Sequence, residues 1–240
     1  MKAIVFAAGL GTRLRPLTDN CPKALVELNG KPLLWHAINT LKKAGINDVV
    51  VNVHHHANQI KEYLAHNDFG IRIAISDESD LLLDTGGGLL FAKKLLDGNE
   101  PFLAINVDII SSVDLTDVIK YHTTNDALAT LVVRNRKTSR LFLFDNKMKL
   151  SGWKNFDTGE EKIATENFYK SRPLAFSGIH VISPNIFPLI RETGKFSIVE
   201  LYLRLAKTET IVGFEDLSDF WLDLGKPNQL EIAEAYLAGK

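Results

Sequence analysis

Near the start of the chain, Gly9-Leu10-Gly11-Thr12-Arg13 is followed by Arg15 and, after Pro22, by Lys23. Glycine permits tight turns and close backbone approach to a ligand. Backbone N–H groups exposed in such a loop can cradle phosphate oxygens. Three cations this close together suit a polyanion such as a triphosphate. Two better-known phosphate loops do not fit. The dinucleotide fingerprint needs a third glycine where this chain has Leu14, and the Gly-Lys-Ser/Thr ending of the P-loop is absent.

Two aspartates interrupt apolar runs. Phe102-Leu103-Ala104-Ile105-Asn106 leads into Val107-Asp108. An ionised carboxylate at the end of a buried strand is costly unless it is paired or binds a metal. Hard Mg²⁺ typically takes one or two carboxylates plus substrate phosphates. Asp108 is therefore expected to bind a metal, and a partner is expected from elsewhere in the chain. Phe220-Trp221-Leu222-Asp223-Leu224 is a second apolar run broken by one carboxylate. A cap or a turn is the structural alternative for either aspartate. Asp84-Thr85-Gly86-Gly87-Gly88 could lay backbone against a flat base, with Thr85 capping the helix that follows; a simple turn is the alternative. Gly178, inside Phe176-Ser177-Gly178-Ile179, marks either close ligand approach or a bulge.

Other conspicuous residues carry less. His54-His55-His56 in extended chain would point to alternate faces, so the three cannot converge on one ion. Cys21 has no paired histidine motif, which argues against a nucleophile. Trp35, Trp153 and Trp221 read as core or pocket wall.

The elements that must position these residues alternate in type. Ala3–Ala8 reads as a buried strand, Leu33–Ala44 as a helix with Leu34, Ala37, Ile38 and Leu41 on one face, and Asp48–Val53 as a β-branched strand. Ala57–His66 (helix), Ile71–Ser76 (strand), Gly88–Leu96 (helix) and Phe102–Asn106 (strand) continue the alternation, the signature of βαβ units and a parallel sheet. Ligands of such sheets sit beyond the carboxyl ends of the strands, where the glycine loop lies. The rhythm loosens after about residue 128. Leu128–Val133, Leu141–Phe144 and Lys149–Trp153 read as shorter, partly antiparallel strands, Ala175–Val181 as a further strand, and Ser197–Leu205 and Pro227–Leu237 as helices.

The 240 residues are 45% hydrophobic and 24% charged, which fits one ordinary globular domain rather than a disordered chain. The expected organisation is one domain over 1–240, with a nucleotide-binding half (about 1–127) and a half that shapes the second substrate's pocket (about 128–240). The net charge of −1, from 28 basic and 29 acidic side chains, argues against a nucleic-acid or anionic-membrane binder. A single cysteine and an N-terminal apolar run too short for a signal core or a membrane span fit a cytoplasmic protein.

Ala7-Ala8-Gly9-Leu10-Gly11-Thr12-Arg13-Leu14-Arg15-Pro16-Leu17-Thr18, with Pro22-Lys23 and Gly30-Lys31-Pro32-Leu33, resembles the signature of the sugar-1-phosphate nucleotidyltransferases. The similarity runs over nearly the whole chain. It is strongest to the short members, the N-acetylmuramate 1-phosphate uridylyltransferases and the mannose-1-phosphate guanylyltransferase-like proteins. The resemblance implies a Rossmann-like, three-layer α/β fold with a mixed, mostly parallel central sheet. It implies that Asp108 and Asp223 hold a catalytic Mg²⁺. Val107 stands where the family usually has glycine, and Lys226 where it usually has threonine.

By the same resemblance, Ala7, Ala8, Gly9, Gly11, Thr12, Arg13, Lys23, Gly86 and Gly87 would bind the nucleotide. Asn106, Lys154, Ser177 and Gly178 would bind the sugar phosphate, with an exposed surface lysine as the alternative for Lys154. Arg13, Lys23 and Asp108 would be catalytic. The implied reaction transfers a nucleoside monophosphate from a triphosphate to a sugar 1-phosphate and releases pyrophosphate. The Asp-Thr-Gly-Gly-Gly run favours UTP with N-acetylmuramate 1-phosphate. Guanylyl transfer to mannose 1-phosphate, cytidylyl transfer to phosphocholine and a silent nucleotide-sugar sensor are the alternatives. A dinucleotide oxidoreductase is disfavoured by the missing third glycine and the basic loop. Monomer and dimer stay open.

Overall fold

The computed structural model describes residues 1–239. In chain order the elements are β1 (Lys2–Phe6), β2 (Glu27–Leu28), β3 (Lys31–Pro32), α1 (Leu33–Lys43), β4 (Asp48–Val53), α2 (Ala57–His66), β5 (Arg72–Asp77) and α3 (Asp84–Phe91). There follow β6 (Phe102–Asn106), β7 (Ile109–Ser111), α4 (Leu115–Thr124), β8 (Ala129–Arg134), β9 (Arg140–Phe144), β10 (Leu150–Asn155) and β11 (Glu161–Ile163). The chain continues through β12 (Arg172–Ile182), α5 (Ile198–Leu205), β13 (Ile211–Glu215), β14 (Trp221–Asp223) and α6 (Pro227–Ala238).

The main sheet runs β11-β10-β9-β12-β6-β1-β4-β5, with β8 pairing both β12 and β13. The β6-β1-β4-β5 portion is parallel, as the alternation of strand and helix requires. Strands β6, β1 and β4 are buried on both faces, whereas the edge strand β5 is only half-buried. In β1, Ala3 and Val5 enter one apolar cluster, while Ile4 and Phe6 enter the other. That is why the run is continuously apolar rather than alternating. On the first face Leu34, Ala37, Ile38 and Leu41 of α1 pack down, as the helical spacing predicts. On the second face lie Leu89 of α3 and Leu201, Tyr202 and Leu205 of α5. The second half turns antiparallel: β12 pairs β6, β8 and β9 antiparallel, whereas β13 joins β8 in parallel.

The three glycines do not precede a helix, as the sequence suggests; they lie inside α3, which begins at Asp84 and ends at Phe91, before a short 3₁₀ turn over Ala92–Lys94. Glycine disfavours helix by about 1 kcal/mol relative to alanine. Close packing overrides that here, because a Cβ on Gly86 would stand 2.4 Å from the Phe196 ring and one on Gly87 2.4 Å from the Gly194 carbonyl oxygen. Thr85 does not cap its own helix. Its hydroxyl accepts a hydrogen bond from the Ile198 N–H, at the start of α5, at 3.1 Å.

Candidate active site

A cavity of about 430 Å³ opens at the carboxyl ends of β1, β4 and β6. The loop from Ala7 to Leu14 forms one side, with Lys23, Asn106, Val107, Asp108 and Gly225 at one end. Asn52, Glu78, Leu82, Asp84, Thr85 and Lys195 complete the wall. A larger groove, about 820 Å³, lies at the opposite ends of the strands, between residues such as Met1, Asp48, Arg72 and Glu100. The glycine loop and both expected metal ligands are far from it in the fold. The smaller cavity, at the strand ends where open α/β sheets bind ligands, is the candidate site.

The loop gets its shape from local interactions. Gly11 takes φ +66°, in the left-handed region that favours glycine, and a Cβ there would press on Thr18 and Lys23 at 3.0–3.2 Å. The Thr18 hydroxyl donates to the Gly11 carbonyl at 2.8 Å. Thr12 and Arg13 then lie in a single 3₁₀ turn that lines the cavity. Arg15 instead reaches Asp19 at 3.4 Å on the surface.

The two aspartates, 115 positions apart in sequence, are brought together by the small β7–β14 ladder. Asp223 is opposite Ile109, and the Leu224 N–H donates to the Asp108 carbonyl at 2.9 Å. Around them the cations converge: Lys23 pairs with the Asp108 carboxylate, and Arg13 approaches the Asp223 carboxylate at 3.9 Å. Burial pushes the Asp223 carboxyl above its ordinary range, and the negative charge of Asp108 pushes it further; Lys23, Arg13 and Arg136 pull it back. The Asp223 Oδ1 is buried with no hydrogen-bond partner. Two mutually repelling carboxylates with a buried, unpartnered oxygen suit a hard divalent cation whose remaining ligands come from phosphate oxygens and water. Among the described residues no cluster of three histidine, cysteine or acidic side chains could hold an ion.

Ser177, Gly178 and Asp223 do not line the cavity themselves but lie beside its Asp108 end, where β12 packs against Asn106 and Ile109. Ser177 and Gly178 form a bulge, where the register of β12 on β8 slips between Phe176 and His180. Gly178 takes φ +74°, and a Cβ there would stand 2.9 Å from both the Asn106 amide nitrogen and Ile109. The Ser177 Oγ is buried without a partner, and its carbonyl accepts from the Trp221 indole N–H at 2.9 Å. Asn106, Ser177 and Gly178 thus come together beside Asp108 and Asp223.

Other candidates are placed elsewhere. The Lys154 ammonium is engaged by Glu161 at 2.7 Å and does not line the cavity. Gly86 and Gly87 are buried under residues 194–196, both amides donating to the Phe196 carbonyl, so the cavity wall there is Asp84 and Thr85. Val107 is buried in the core and Lys226 is exposed. The rings of His55 and His56 lie 4.0 Å apart at the start of α2. Burial raises the Cys21 thiol, opposite to what a nucleophile needs.

Several site residues were not legible in the sequence. The Arg136 guanidinium lies over the Trp221 ring at 4.4 Å, donates to the Phe176 carbonyl at 3.2 Å, and keeps a buried Nε without a partner. Lys195 reaches the cavity from the loop before α5. Asn52 and Glu78 are 2% and 3% exposed, and burial pushes the Glu78 carboxyl up to about 7. Lone charged or amide residues outside any motif give no signal; only the fold turns them inward.

A family model described as nucleotidyl transferase matches residues 2–142, more than half of the chain. The chain belongs to that family. An N-acetylmuramate alpha-1-phosphate uridylyltransferase from Caulobacter vibrioides is 35% identical, over 98% of this chain and 96% of its own length. A mannose-1-phosphate guanyltransferase from Yarrowia lipolytica is 32% identical over 95% of this chain, which spans 61% of that protein. A solved structure of UDP-glucose pyrophosphorylase from Acinetobacter baumannii, at 17% identity, superposes with a TM-score of 0.82 over 98% of this chain and 92% of that one. The α/β nucleotidyltransferase fold is thereby shown, and the enzyme class is sugar-1-phosphate nucleotidyl transfer. Among the described residues, no helix is long and apolar enough to cross a membrane.

Proposed function

We propose that this nucleotidyltransferase transfers the uridylyl group of UTP to N-acetylmuramate 1-phosphate, with Mg²⁺, as a single unit whose first half binds nucleotide and whose second half shapes the sugar pocket. The observation that carries the reading is the convergence of Asp108, Arg13 and Lys23 at the end of one glycine-lined cavity, with Asp223 beside them. The uridylyltransferase relative matches this chain end to end. Guanylyl transfer to mannose 1-phosphate is the second reading, favoured by a 32% identical relative, but this chain spans only 61% of that protein.

An oxygen of the sugar 1-phosphate attacks the α-phosphorus in line. A new P–O bond forms, the bond to the β-phosphate oxygen breaks, and pyrophosphate leaves. The nucleophile is already anionic at pH 7, so no general base is needed. Rate must come from positioning and charge neutralisation. Arg13 and the amides of the Gly9–Gly11 loop hold the β- and γ-phosphates, and Lys23 neutralises charge on the α-phosphoryl group. Asp108 and Asp223 would hold the Mg²⁺, which supplies charge neutralisation at the reacting phosphates. Ala7, Ala8 and Thr12 shape the nucleotide side, while Gly86 and Gly87 act by seating residues 194–196 over it. Asn106, Ser177 and Gly178 form the sugar side. Arg136, with its unpartnered Nε, is the cation beside that wall, and Lys154 joins it only by leaving Glu161. The protein works in the cytoplasm, in keeping with its single cysteine and the lack, among the described residues, of a helix long and apolar enough to cross a membrane.

The test is a pyrophosphate-release matrix with Mg²⁺, crossing UTP, GTP, CTP, ATP and dTTP with N-acetylmuramate, mannose, glucose and N-acetylglucosamine 1-phosphates and with phosphocholine. One dominant pair names both substrates. No release from any pair, with nucleotide-sugar binding intact, replaces the reading with that of a sensor.

A further inference from the structure

The Arg13 side chain is 62% exposed, and its only ion pair among the described residues is the 3.9 Å approach to Asp223. A side chain with so many rotamers does not hold an aim by itself. The aim comes from Gly225, which lines the same cavity. A Cβ on Gly225 would stand 2.7 Å from the Arg13 Cζ and 2.8 Å from both Nη1 and Nη2. Three coplanar atoms at nearly one distance mean that the guanidinium lays its flat face on the glycine. Its N–H donors lie in that plane, so the edge stays free for phosphate oxygens.

Gly225 is not there for its backbone, since its φ lies outside the left-handed region. The three atoms nearest to its missing Cβ all belong to Arg13. An alanine would therefore press on the guanidinium, which would have to back away. Carbon contacts ordinarily stand at about 3.5–4.0 Å, so the shift is about 1 Å. The seat is itself pinned. The Gly225 N–H donates to the Gln229 Oε1 of α6 at 3.0 Å, and the Leu224 N–H donates to the Asp108 carbonyl at 2.9 Å. One short turn thus sets the Arg13 plane in register with Asp108 and Asp223.

We propose that Gly225 is a positioning residue for Arg13: it seats the guanidinium face-on at a fixed place beside the paired aspartates, and Gln229 locks that seat. This rests on the phosphate role given to Arg13 above and deepens it. A donor must wait where charge develops on the leaving phosphates, and a misplacement of about 1 Å can cost about 10²-fold in rate. The competing role is direct: Gly225 lines the cavity, so a Cβ there would obstruct ligand without moving Arg13. The two roles differ in one respect. On the proposal, the Cβ does harm only while Arg13 is present.

The experiment is a pair of double-mutant cycles, Gly225→Ala with Arg13→Ala and Gln229→Met with Arg13→Ala. Pyrophosphate release from UTP with N-acetylmuramate 1-phosphate, and from GTP with mannose 1-phosphate, gives kcat. Calorimetry gives the Kd of each triphosphate with Mg²⁺. Gly225→Ala is expected to lower kcat about 10²-fold and Gln229→Met several-fold, both with melting temperatures near wild type. In the Arg13→Ala background each is expected to change kcat by less than about two-fold. Losses of equal size in both backgrounds overturn the seat, and so does a Gly225→Ala protein as fast as wild type. If Gly225→Ala does not fold, the Gln229→Met cycle decides by the same criterion. Turnover with additive losses keeps transfer and removes the seat. A wild type that binds triphosphate but turns over neither pair sinks transfer; the cycles are then read in Kd, where coupled losses keep the seat and additive losses remove it. Wild-type behaviour of Arg13→Ala in both assays overturns the seat together with the phosphate role of Arg13. A wild type that binds neither UTP nor GTP overturns both readings.

Discussion

Asp223 is the residue at which the site's charges are held against their preference. Burial and the charge of Asp108 raise its carboxyl, while three cations oppose that shift. Replacing Asp108 by alanine removes the repulsion and, on the proposed function, a metal ligand together. Turnover is expected to vanish while the circular dichroism and the melting temperature stay close to wild type; near-normal activity in a metal-controlled assay would refute the metal role. Arg13→Ala should lower kcat by about 10²–10³-fold, the loss typical of one preorganised charge-stabilising donor. A steady-state rate at saturating substrate checks it. Glu78 links the site to stability. Its folded pKa of about 7 lies above the ordinary 4.5, so its contribution is intact below the ordinary range and is lost as pH rises through about 7. Wild type should therefore weaken against Glu78→Gln by up to about 3 kcal/mol between about pH 5 and about pH 8. Urea unfolding of both proteins at the two pH values measures it, and a constant difference would refute the shift.

At the scale of elements, two short pieces do most of the positioning. The β7–β14 ladder is only three residues long on each strand, yet it sets Asp223 beside Asp108. The bulge in β12 brings Gly178 against Asn106 and Ile109 with no room for a Cβ. Gly178→Ala is expected to raise KM for the sugar phosphate at least several-fold more than KM for the triphosphate. An equal change in both would place the strain outside the proposed sugar wall. In α3, Gly86 and Gly87 let residues 194–196 lie across the helix, which carries Lys195 to the cavity. Gly86→Ala should gain helix propensity yet lose about 1–3 kcal/mol to overpacking against Phe196. A urea midpoint at or above wild type would show that the ring can move aside.

At the scale of the whole molecule, the proposed halves share one continuous sheet, since β12 of the second half pairs with β6 of the first. Unfolding is expected to be one cooperative transition, with far-ultraviolet dichroism and tryptophan fluorescence coincident. Two separated transitions would divide the chain into independent units. The preferred triphosphate with Mg²⁺ at 100 times its Kd should add about 2.7 kcal/mol, or roughly 5–10 °C in Tm for a chain this size. Thermal scans with each triphosphate would thus rank the bases without an activity assay.

The sequence by itself determined what local chemistry dictates. The apolar strands β1, β4 and β6, the amphipathic α1 and α2, and the glycine loop with its cations were all readable, because periodicity and turn chemistry act over a few residues. The class of Asp108 and Asp223 could be suspected from carboxylates in apolar runs. The tertiary structure decided everything that depends on pairing at long range. It placed the triple glycine inside α3, since packing against Phe196 outweighs propensity. It added strand β13 and helix α4 to the elements the pattern showed. It engaged Lys154 with Glu161, and it turned Asn52, Glu78, Arg136 and Lys195 toward the site. None of these four sits in a motif: what a polar side chain does is fixed by which groups and how much water surround it, and only the folded chain sets both.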